Sequence, residues 1–284
     1  QQFGGKLTAA PISGHIKLDV ADIGKFRYFM PVGVEVAGQA NANVALSGSL
    51  GNPQFSGTFN GERLDYRDRN SGLRLENGTL RSRLEGQKWL IQSLRFVHEG
   101  GGTATVSGSV SRVGNTPDVN ISVLFDRFAA LNQANRRLVV SGKSDLVYAA
   151  KGLVLVGDLR VDKALFDFPK SGMPALDEDV VVVGREQVKK SAATPIDLNL
   201  TLDLNDQFRF SGKGLDVLMG GKLRLFAKPG EDVQALGQVN IVQGRYKAYG
   251  QDLVVEKGII SFIGPIADPV LTLRELQTVD GVNQ

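Results

Sequence analysis

The residues that could carry out acid–base or nucleophilic chemistry are few and isolated along this chain. Its two histidines, His15 and His98, are far apart, and cysteine is absent. A histidine without a neighbouring acid or nucleophile is more often a surface or loop residue than a catalytic one. Without cysteine there is no thiolate nucleophile, no zinc–thiolate site and no disulfide. These residues predict a chain with no catalytic site. The lack of cysteine fits a bacterial periplasm, and also a cytosolic fragment.

Carboxylates come closest to forming a metal or acid–base site. Asp197, Asp203 and Asp206 lie near one another in the sequence, but Asp197 and Asp203 alternate with leucines. That alternation places both on the polar, solvent-facing side of a strand. The glycines between 212 and 221 form no G-x-G-x-x-G motif, and no strand–helix–strand unit surrounds them. We therefore expect neither a metal site nor a cofactor.

Length and charge narrow the class of protein further. The chain has 284 residues and a net charge of +3, with lysine and arginine scattered and no aromatic platform for stacking bases. Nucleic acid is therefore not an expected partner. No apolar run approaches the roughly 20 residues that cross a bilayer. Because the chain begins at Gln1 rather than at a methionine, we interpret it as a fragment whose membrane anchor lies elsewhere.

Strand-type alternation of apolar and polar residues runs through most of the chain. In the segment 197–204 four leucines alternate with Asp, Asn, Thr and Asp. Successive strand side chains point to opposite faces, so this pattern predicts a strand buried on one side, as in antiparallel sheets. Glycine is frequent, at 34 residues, which suits many strands joined by tight turns. The predicted fold class is all-β, with an antiparallel sheet built of repeated hairpins.

The apolar positions of these alternating segments are the candidate functional residues, since they would share one face of the sheet. They are Leu198, Leu200, Leu202, Leu204, Val119, Ile121, Val123, Phe208, Phe210, Leu223, Leu225, Val239, Ile241, Leu253, Val255, Ile260 and Phe262. Two segments show helical spacing instead, 22–30 and 128–134, and each is predicted to form one or two helical turns.

An internal repeat also indicates hairpins. Residues 73–80 and 253–260 share the pattern Leu-x-(Leu/Val)-Glu-x-Gly-x-(Leu/Ile). Glycine accepts the positive φ of a hairpin turn, so each copy is predicted to hold two strands around a turn ending at Gly78 or Gly258. Prolines, charges and small residues then indicate a long loop. The predicted division is an N-terminal β-repeat segment (1–166), this loop (167–195) and a C-terminal β segment (196–284) that continues the same sheet.

The last third of the chain carries a specific signature, GRYKAYGQDLVVEKGIISFIGPIADPVL at residues 244–271, with FRFSGKGLDV upstream at 208–217. It closely resembles the C-terminal conserved domain of the TamB family, the inner-membrane subunit of the bacterial translocation and assembly module. Residues 1–165 resemble the family only in their general sequence character and not in specific motifs. The family usually continues past the Pro-x-Leu segment with further strands. We therefore expect the region that contacts its outer-membrane partner to be largely absent from this chain.

The resemblance implies a periplasmic domain of an inner-membrane-anchored protein in a Gram-negative bacterium. Such proteins pair with TamA, an outer-membrane barrel protein. They are implicated in moving phospholipid between the membranes and in assembling outer-membrane and autotransporter proteins. Their β body is a long sheet curved around an apolar groove, like a taco. The implied ligand is the phospholipid acyl chain, held by the candidate residues above.

Alternation by itself leaves other structures and functions open. The same pattern describes a closed β-sandwich whose two sheets fill each other. It also suits a chaperone that pairs with unfolded outer-membrane protein strands at its edges. An open groove would retain an acyl chain because each buried CH₂ gains roughly 0.8 kcal/mol. About 18 to 20 strands, spaced by ~4.8 Å, would make a groove about 85 to 95 Å long.

Overall fold

The computed structural model describes residues 9–69, 72–98, 101–114, 116–149, 152–168, 196–212, 214–248, 251–266 and 268–278. They form one curved sheet of fifteen strands, which confirms the predicted all-β fold class. The strands are β1 (Gly14–Val20), β2 (Val34–Ser49), β3 (Asn52–Asp68), β4 (Arg74–Gly86), β5 (Lys88–Val97), β6 (Thr103–Val113), β7 (Thr116–Asn132), β8 (Arg136–Ala149), β9 (Gly152–Phe168), β10 (Ile196–Asp203), β11 (Phe208–Gly212), β12 (Leu215–Ala227), β13 (Gln234–Ala248), β14 (Gln251–Pro265) and β15 (Val270–Thr278).

The order of strands in the sheet follows the chain almost throughout. Each strand from β1 to β8 pairs antiparallel with the next, and so does each strand from β12 to β14. The exception lies between these two runs, where β9 pairs in parallel with both β10 and β11. β10 and β11 share one position in the sheet, between β9 and β12.

The described sheet has fifteen strands, fewer than the predicted 18 to 20, because individual strands are longer than the repeat indicates. β4 and β14 run through the two segments for which the repeat predicts a hairpin turn, so that prediction is wrong. Within β4, Asn77 has a φ of 51°, and the register with β3 shifts around Leu64. A Cβ on Gly78 would lie 2.8 Å from the Leu64 Cβ. The Asn-Gly pair therefore forms a bulge inside a strand.

One of the two predicted helical segments does contain a short helix, and the prediction for the other is wrong. Residues 22–30 contain a 3₁₀ helix, Ile23–Phe29, whose N-cap Asp22 accepts a hydrogen bond from the Gly24 N–H at 2.8 Å. Residues 128–132 instead belong to β7. The register of β7 shifts between Phe125 and Phe128, so these rings lie three residues apart yet pack together, with centroids 5.9 Å apart. A bulged strand thus reproduces the i, i+3 spacing of a helix.

The sheet curls toward one of its faces. The segment before β4 meets the turn after β7, since Gly72 lies directly against the Gln133 side chain. β4 and β7 are three strands apart and would be separated by about 14 Å in a flat sheet. Leu75 nevertheless packs against the buried cluster that contains Phe128. Register shifts in most pairs between β2 and β9 supply the bending, because an extra residue bends the strand that carries it.

Glycine allows the same bending in the C-terminal strands. Gly221 on β12 has a φ of 122° and Gly237 on β13 a φ of 135°, a region that L side chains rarely adopt. A Cβ on Gly221 would overlap the carbonyl oxygen of Gln238 on the neighbouring strand. Glycine kinks of this kind curve a sheet and let its strands approach closely.

Few side chains of the described sheet are fully buried. Among the described residues, the largest fully buried side chains are those of Val161 and Ser82. The sheet is therefore thinly covered.

The predicted loop at 167–195 overlaps the described residues only at its start. Asp167 and Phe168 belong to β9, and 169–195 lies outside the described residues. The strands on either side of it, β9 and β10, are neighbours in the sheet. The division of the chain into three segments remains a prediction.

Candidate functional site: one apolar face of the sheet

Strand β10 shows how one strand divides between two environments. Its leucines face the covered side of the sheet, where three are half-buried and Leu204, just beyond the strand, is 4% exposed. The alternate positions carry ion pairs on the opposite side. Lys228 Nζ lies 2.9 Å from Asp197, and Lys222 Nζ lies 3.2 Å from Asp203. Two of the three carboxylates considered for a metal site, Asp197 and Asp203, are thus partly exposed groups with lysine partners.

The register carries the apolar side of β10 across the sheet, because paired residues on neighbouring strands point to the same face. One row of register partners crosses seven strands, and it consists of Phe125, Gly142, Leu159, Leu202, Leu223, Gly237 and Phe262. A second row crosses eleven strands, and it consists of Leu18, Ala42, Phe59, Ser82, Ile91, Gly108, Ile121, Leu146, Leu155, Leu198 and Ala227. We call the side of the sheet defined by these rows the apolar face.

The only hydroxyl in the longer row is internally satisfied. Ser82 is 1% exposed, and its hydroxyl donates a hydrogen bond to the carbonyl oxygen of Phe59 on β3. A buried hydroxyl with a partner does not make the surface around it polar. The row is therefore continuously apolar toward anything that lies against it.

The structure places every predicted functional residue on the apolar face, but it covers them unequally. Five are buried, at 2 to 8% exposed: Leu204, Leu223, Val239, Ile241 and Val255. The others are half-buried: Val119, Ile121, Val123, Leu198, Leu200, Leu202, Phe208, Phe210, Leu225, Leu253, Ile260 and Phe262. That these residues line a groove open to a ligand remains a proposal.

The buried members gather into two clusters toward the C-terminal strands. One contains Val161, Ala164, Leu204, Leu223 and Val239, and the other contains Val217, Ile241 and Val255. The second cluster includes residues of the sequence signature, whose Gly244 lies against the Val217 side chain. The signature thus encodes part of the closely packed portion of the apolar face.

Sequence reasoning identified Phe208 and Phe210 on β11 but missed their aromatic partners on β9, Phe166 and Phe168. The rings of Phe166 and Phe208 are stacked with centroids 5.3 Å apart, and those of Phe168 and Phe210 lie 5.7 Å apart. Phe166 and Phe168 alternate with polar Asp167, so the signal is present in the sequence. These residues lie at the boundary of the predicted loop, because prolines and charged residues follow them directly.

The opposite face carries polar residues, and several of its charges form pairs. The guanidinium of Arg209 donates two hydrogen bonds to the Asp216 carboxylate, at 2.9 and 2.7 Å. These hydrogen bonds, reinforced by charge attraction, raise the pKa of Arg209. Both side chains are about half exposed, and exposed pairs of this kind add little stability. The apolar face is therefore the better candidate for binding.

Two further features concern only the described part of the chain. There, no three acidic, histidine or cysteine side chains come close enough together to hold a metal ion. Nor does that part contain a helix whose length and hydropathy would let it cross a membrane.

The fold and the apolar face define an elongated β-sheet protein that stacks strands along one axis. The family model described as the TamB C-terminal domain matches residues 92–284, more than half of the chain. The chain therefore belongs to the TamB family. It is 22% identical over 289 residues to the translocation and assembly module subunit TamB of Haemophilus influenzae. That alignment covers 94% of this chain and 21% of the relative, so the chain spans about a fifth of the relative's length. No solved structure matches significantly.

Proposed function

We propose that the apolar face lines an open groove that carries phospholipid acyl chains through the periplasm of a Gram-negative bacterium. The observation that supports this best is the register, which places apolar partners next to one another across eleven strands with no charged residue in the row. An acyl chain lying along such a row meets similar contacts at each strand. It can slide, because no single position binds it much more tightly than the next.

The incomplete covering of the face supports an open groove over a closed core. Half-buried leucines on β10 have apolar area left to cover. Each CH₂ group of a lipid that covers this area gains roughly 0.8 kcal/mol. A chain of about sixteen carbons would therefore be held firmly against return to water. The zwitterionic or anionic headgroup would remain at the wet edge.

Family membership supports the cellular setting. As part of a TamB-like protein anchored in the inner membrane, the chain would act in the periplasm with a TamA-like outer-membrane barrel protein. The joint task would include the assembly of outer-membrane proteins and autotransporters. Because β10 and β11 share one position, the fifteen strands occupy fourteen positions, which at ~4.8 Å each extend the groove by about 65 Å. This is a section of a longer conduit, as suits a chain that spans a fifth of its relative.

A photo-crosslinking amino acid at Leu200 tests the groove directly. Its matched control is the same amino acid at Asn199, the adjacent position on the polar side of β10. We expect the Leu200 variant, purified from membranes, to carry crosslinked phospholipid and the Asn199 variant to carry none. Native mass spectrometry of the unmodified protein should show bound phospholipid. The absence of lipid from both measurements would refute the groove.

A charged residue introduced into the apolar face tests whether that face carries lipid. Leu202→Asp places a carboxylate in the row that crosses seven strands, whereas Thr201→Asp places it on the polar side. In a vesicle-to-vesicle transfer assay we expect Leu202→Asp to lose about tenfold or more of the transfer rate and Thr201→Asp to keep it. Circular dichroism must show that both variants are folded. Equal transfer by two folded variants would contradict the proposal.

The exposed strand β1 favours a second candidate, a holdase for unfolded outer-membrane protein strands. Within the described residues β1 pairs only with β2, and its Ile16 and Leu18 are 50% and 47% exposed. An edge of this kind can accept an added strand. Crosslinks from Ile16 to nascent barrel proteins, with no lipid crosslinked at Leu200, would favour this function over lipid transport.

A further inference from the structure

A loop between β1 and β2 presents a cluster of exposed aromatic and aliphatic side chains. Residues 25–32 have the sequence KFRYFMPV. Phe26 is 47% exposed, Tyr28 82%, Phe29 83% and Val32 95%. Single exposed apolar residues are common on protein surfaces, but four within seven residues form a patch, and patches of this kind mark interaction sites.

The loop has a defined conformation that holds this patch outward. Asp22 caps the 3₁₀ helix by accepting from the Gly24 N–H at 2.8 Å, and the Met30 N–H donates to the Arg27 carbonyl at 3.1 Å. Gly24 packs closely on the backbone of β2, where a Cβ would lie 3.2 Å from the Val36 carbonyl oxygen. No residue of the helix is buried. The loop is therefore attached to the sheet at one end and offers its aromatic side chains to a partner.

Basic residues alternate with the aromatic ones. Lys25 and Arg27 are both exposed, and the nearest acid in sequence, Asp22, is engaged as the helix cap. The Arg27 guanidinium lies 5.0 Å from the centre of the Tyr28 ring, and its Nη2 lies 3.1 Å from the Tyr28 hydroxyl. The pair forms one amphipathic unit, with a cation beside an aromatic ring.

We infer that the β1–β2 loop binds the surface of a phospholipid bilayer that contains anionic lipid. Phe26, Tyr28 and Phe29 would lie at the level of the headgroups, where aromatic rings are most stable. Lys25 and Arg27 would pair with anionic headgroups. A bilayer offers apolar depth beneath a negatively charged layer over a wide area, which matches this mixture more simply than a protein surface does.

The inference is independent of the proposed groove, because the loop residues belong to neither row of the apolar face. A bilayer-binding loop would hold the sheet beside a membrane whether or not the sheet carries lipid. The two ideas also fail separately. Lipid bound at Leu200 reports on the groove, and association with intact vesicles reports on the loop.

Vesicle co-sedimentation of the full 284-residue chain tests the inference. The probes are phosphatidylcholine vesicles with and without phosphatidylglycerol. We expect the chain to bind the vesicles that contain phosphatidylglycerol, and Tyr28→Ser/Phe29→Ser to weaken that partitioning about tenfold. Ile263→Ser removes an equally exposed apolar side chain, 77% exposed, from β14 and should leave binding unchanged.

A charge-reversal pair separates attraction to headgroups from apolar insertion. Lys25→Glu/Arg27→Glu should abolish the preference for phosphatidylglycerol, whereas Lys88→Glu/Arg95→Glu, which reverses two exposed charges on β5, should keep it. Because all these side chains are exposed, the variants should retain the circular dichroism of the parent. If the chain ignores phosphatidylglycerol vesicles, or if loop and control variants bind alike, the inference is wrong. A crosslinker at Tyr28 that labels a protein while vesicle binding is unaffected would assign the loop to a protein partner instead.

Discussion

Strands β10–β14 and strand β1 present the same alternation of apolar and polar residues, but the sheet covers them to very different extents. Leu223, Val239 and Val255 are 8%, 4% and 2% exposed, whereas Ile16 and Leu18 on β1 are 50% and 47% exposed. The C-terminal residues have strands on both sides and bent neighbours that fold over them. β1 pairs only with β2 among the described strands. Alternation therefore determines which way a side chain points, and its neighbours determine how far it is buried.

An aspartate introduced on the apolar face should destabilise the fold more in the C-terminal strands than in β1. Val239→Asp places an unpaired carboxylate among packed residues, and we expect it to lower the free energy of unfolding by about 3 kcal/mol or more. Leu18→Asp, on the exposed strand, should cost under about 1 kcal/mol. Urea unfolding followed by circular dichroism measures both. Equal losses would mean that the C-terminal strands are no better covered than β1.

A methyl group added to glycine probes the same contrast through the backbone. Gly221→Ala should lower the free energy of unfolding by about 2 kcal/mol, because φ is 122° and the new Cβ meets the Gln238 carbonyl oxygen. Gly14→Ala on β1 meets nothing within 4 Å and should be close to neutral. Urea midpoints distinguish the two. A Gly221→Ala variant as stable as the parent would show that β12 can relax, and that its close approach to β13 is not required.

The polar face should contribute only a small, pH-dependent effect. A hydrogen bond from the Ser122 hydroxyl, with further help from Lys143, lowers the pKa of Asp145 below its ordinary 3.8. A lowered carboxyl pKa stabilises the fold above pH 3.8, and this contribution is lost as the pH falls through the folded-state pKa. Ser122→Ala should therefore raise the Asp145 pKa in an NMR titration and slightly reduce the stability at neutral pH. An unchanged pKa would show that the serine does not donate to it.

Much of this architecture is encoded locally and was predictable. The two-residue period of β10 is visible in one segment, so the leucine side and the aspartate side follow without knowledge of any other strand. The same holds for Val119, Ile121 and Val123 on β7. All of them lie on the apolar face that alternation predicts.

What could not be predicted depends on pairing between distant segments. Leu18, Phe59 and Ile91 complete the long row, but only the register of six strand pairs, from β1–β2 to β6–β7, shows that they lie in line with Ile121. Bulges have local sequences that resemble those of helices and turns. Residues 128–132, predicted to be helical, belong to β7 where its register shifts, and Asn77 with Gly78 has the composition of a turn. A bulge depends on what packs against it, which the local sequence does not record.

The parallel pairing of β9 with β10 and β11 has a consequence for how the chain folds. On either side of it, each strand pairs with the next strand in the chain, so folding there requires only short loop closures. Joining β9 to β10 requires closing the whole segment 169–195, the largest entropic step in the described sheet. We therefore expect β1–β9 to fold first and the C-terminal strands to dock afterwards. Folding should show two phases, and shortening this segment should accelerate the slower one.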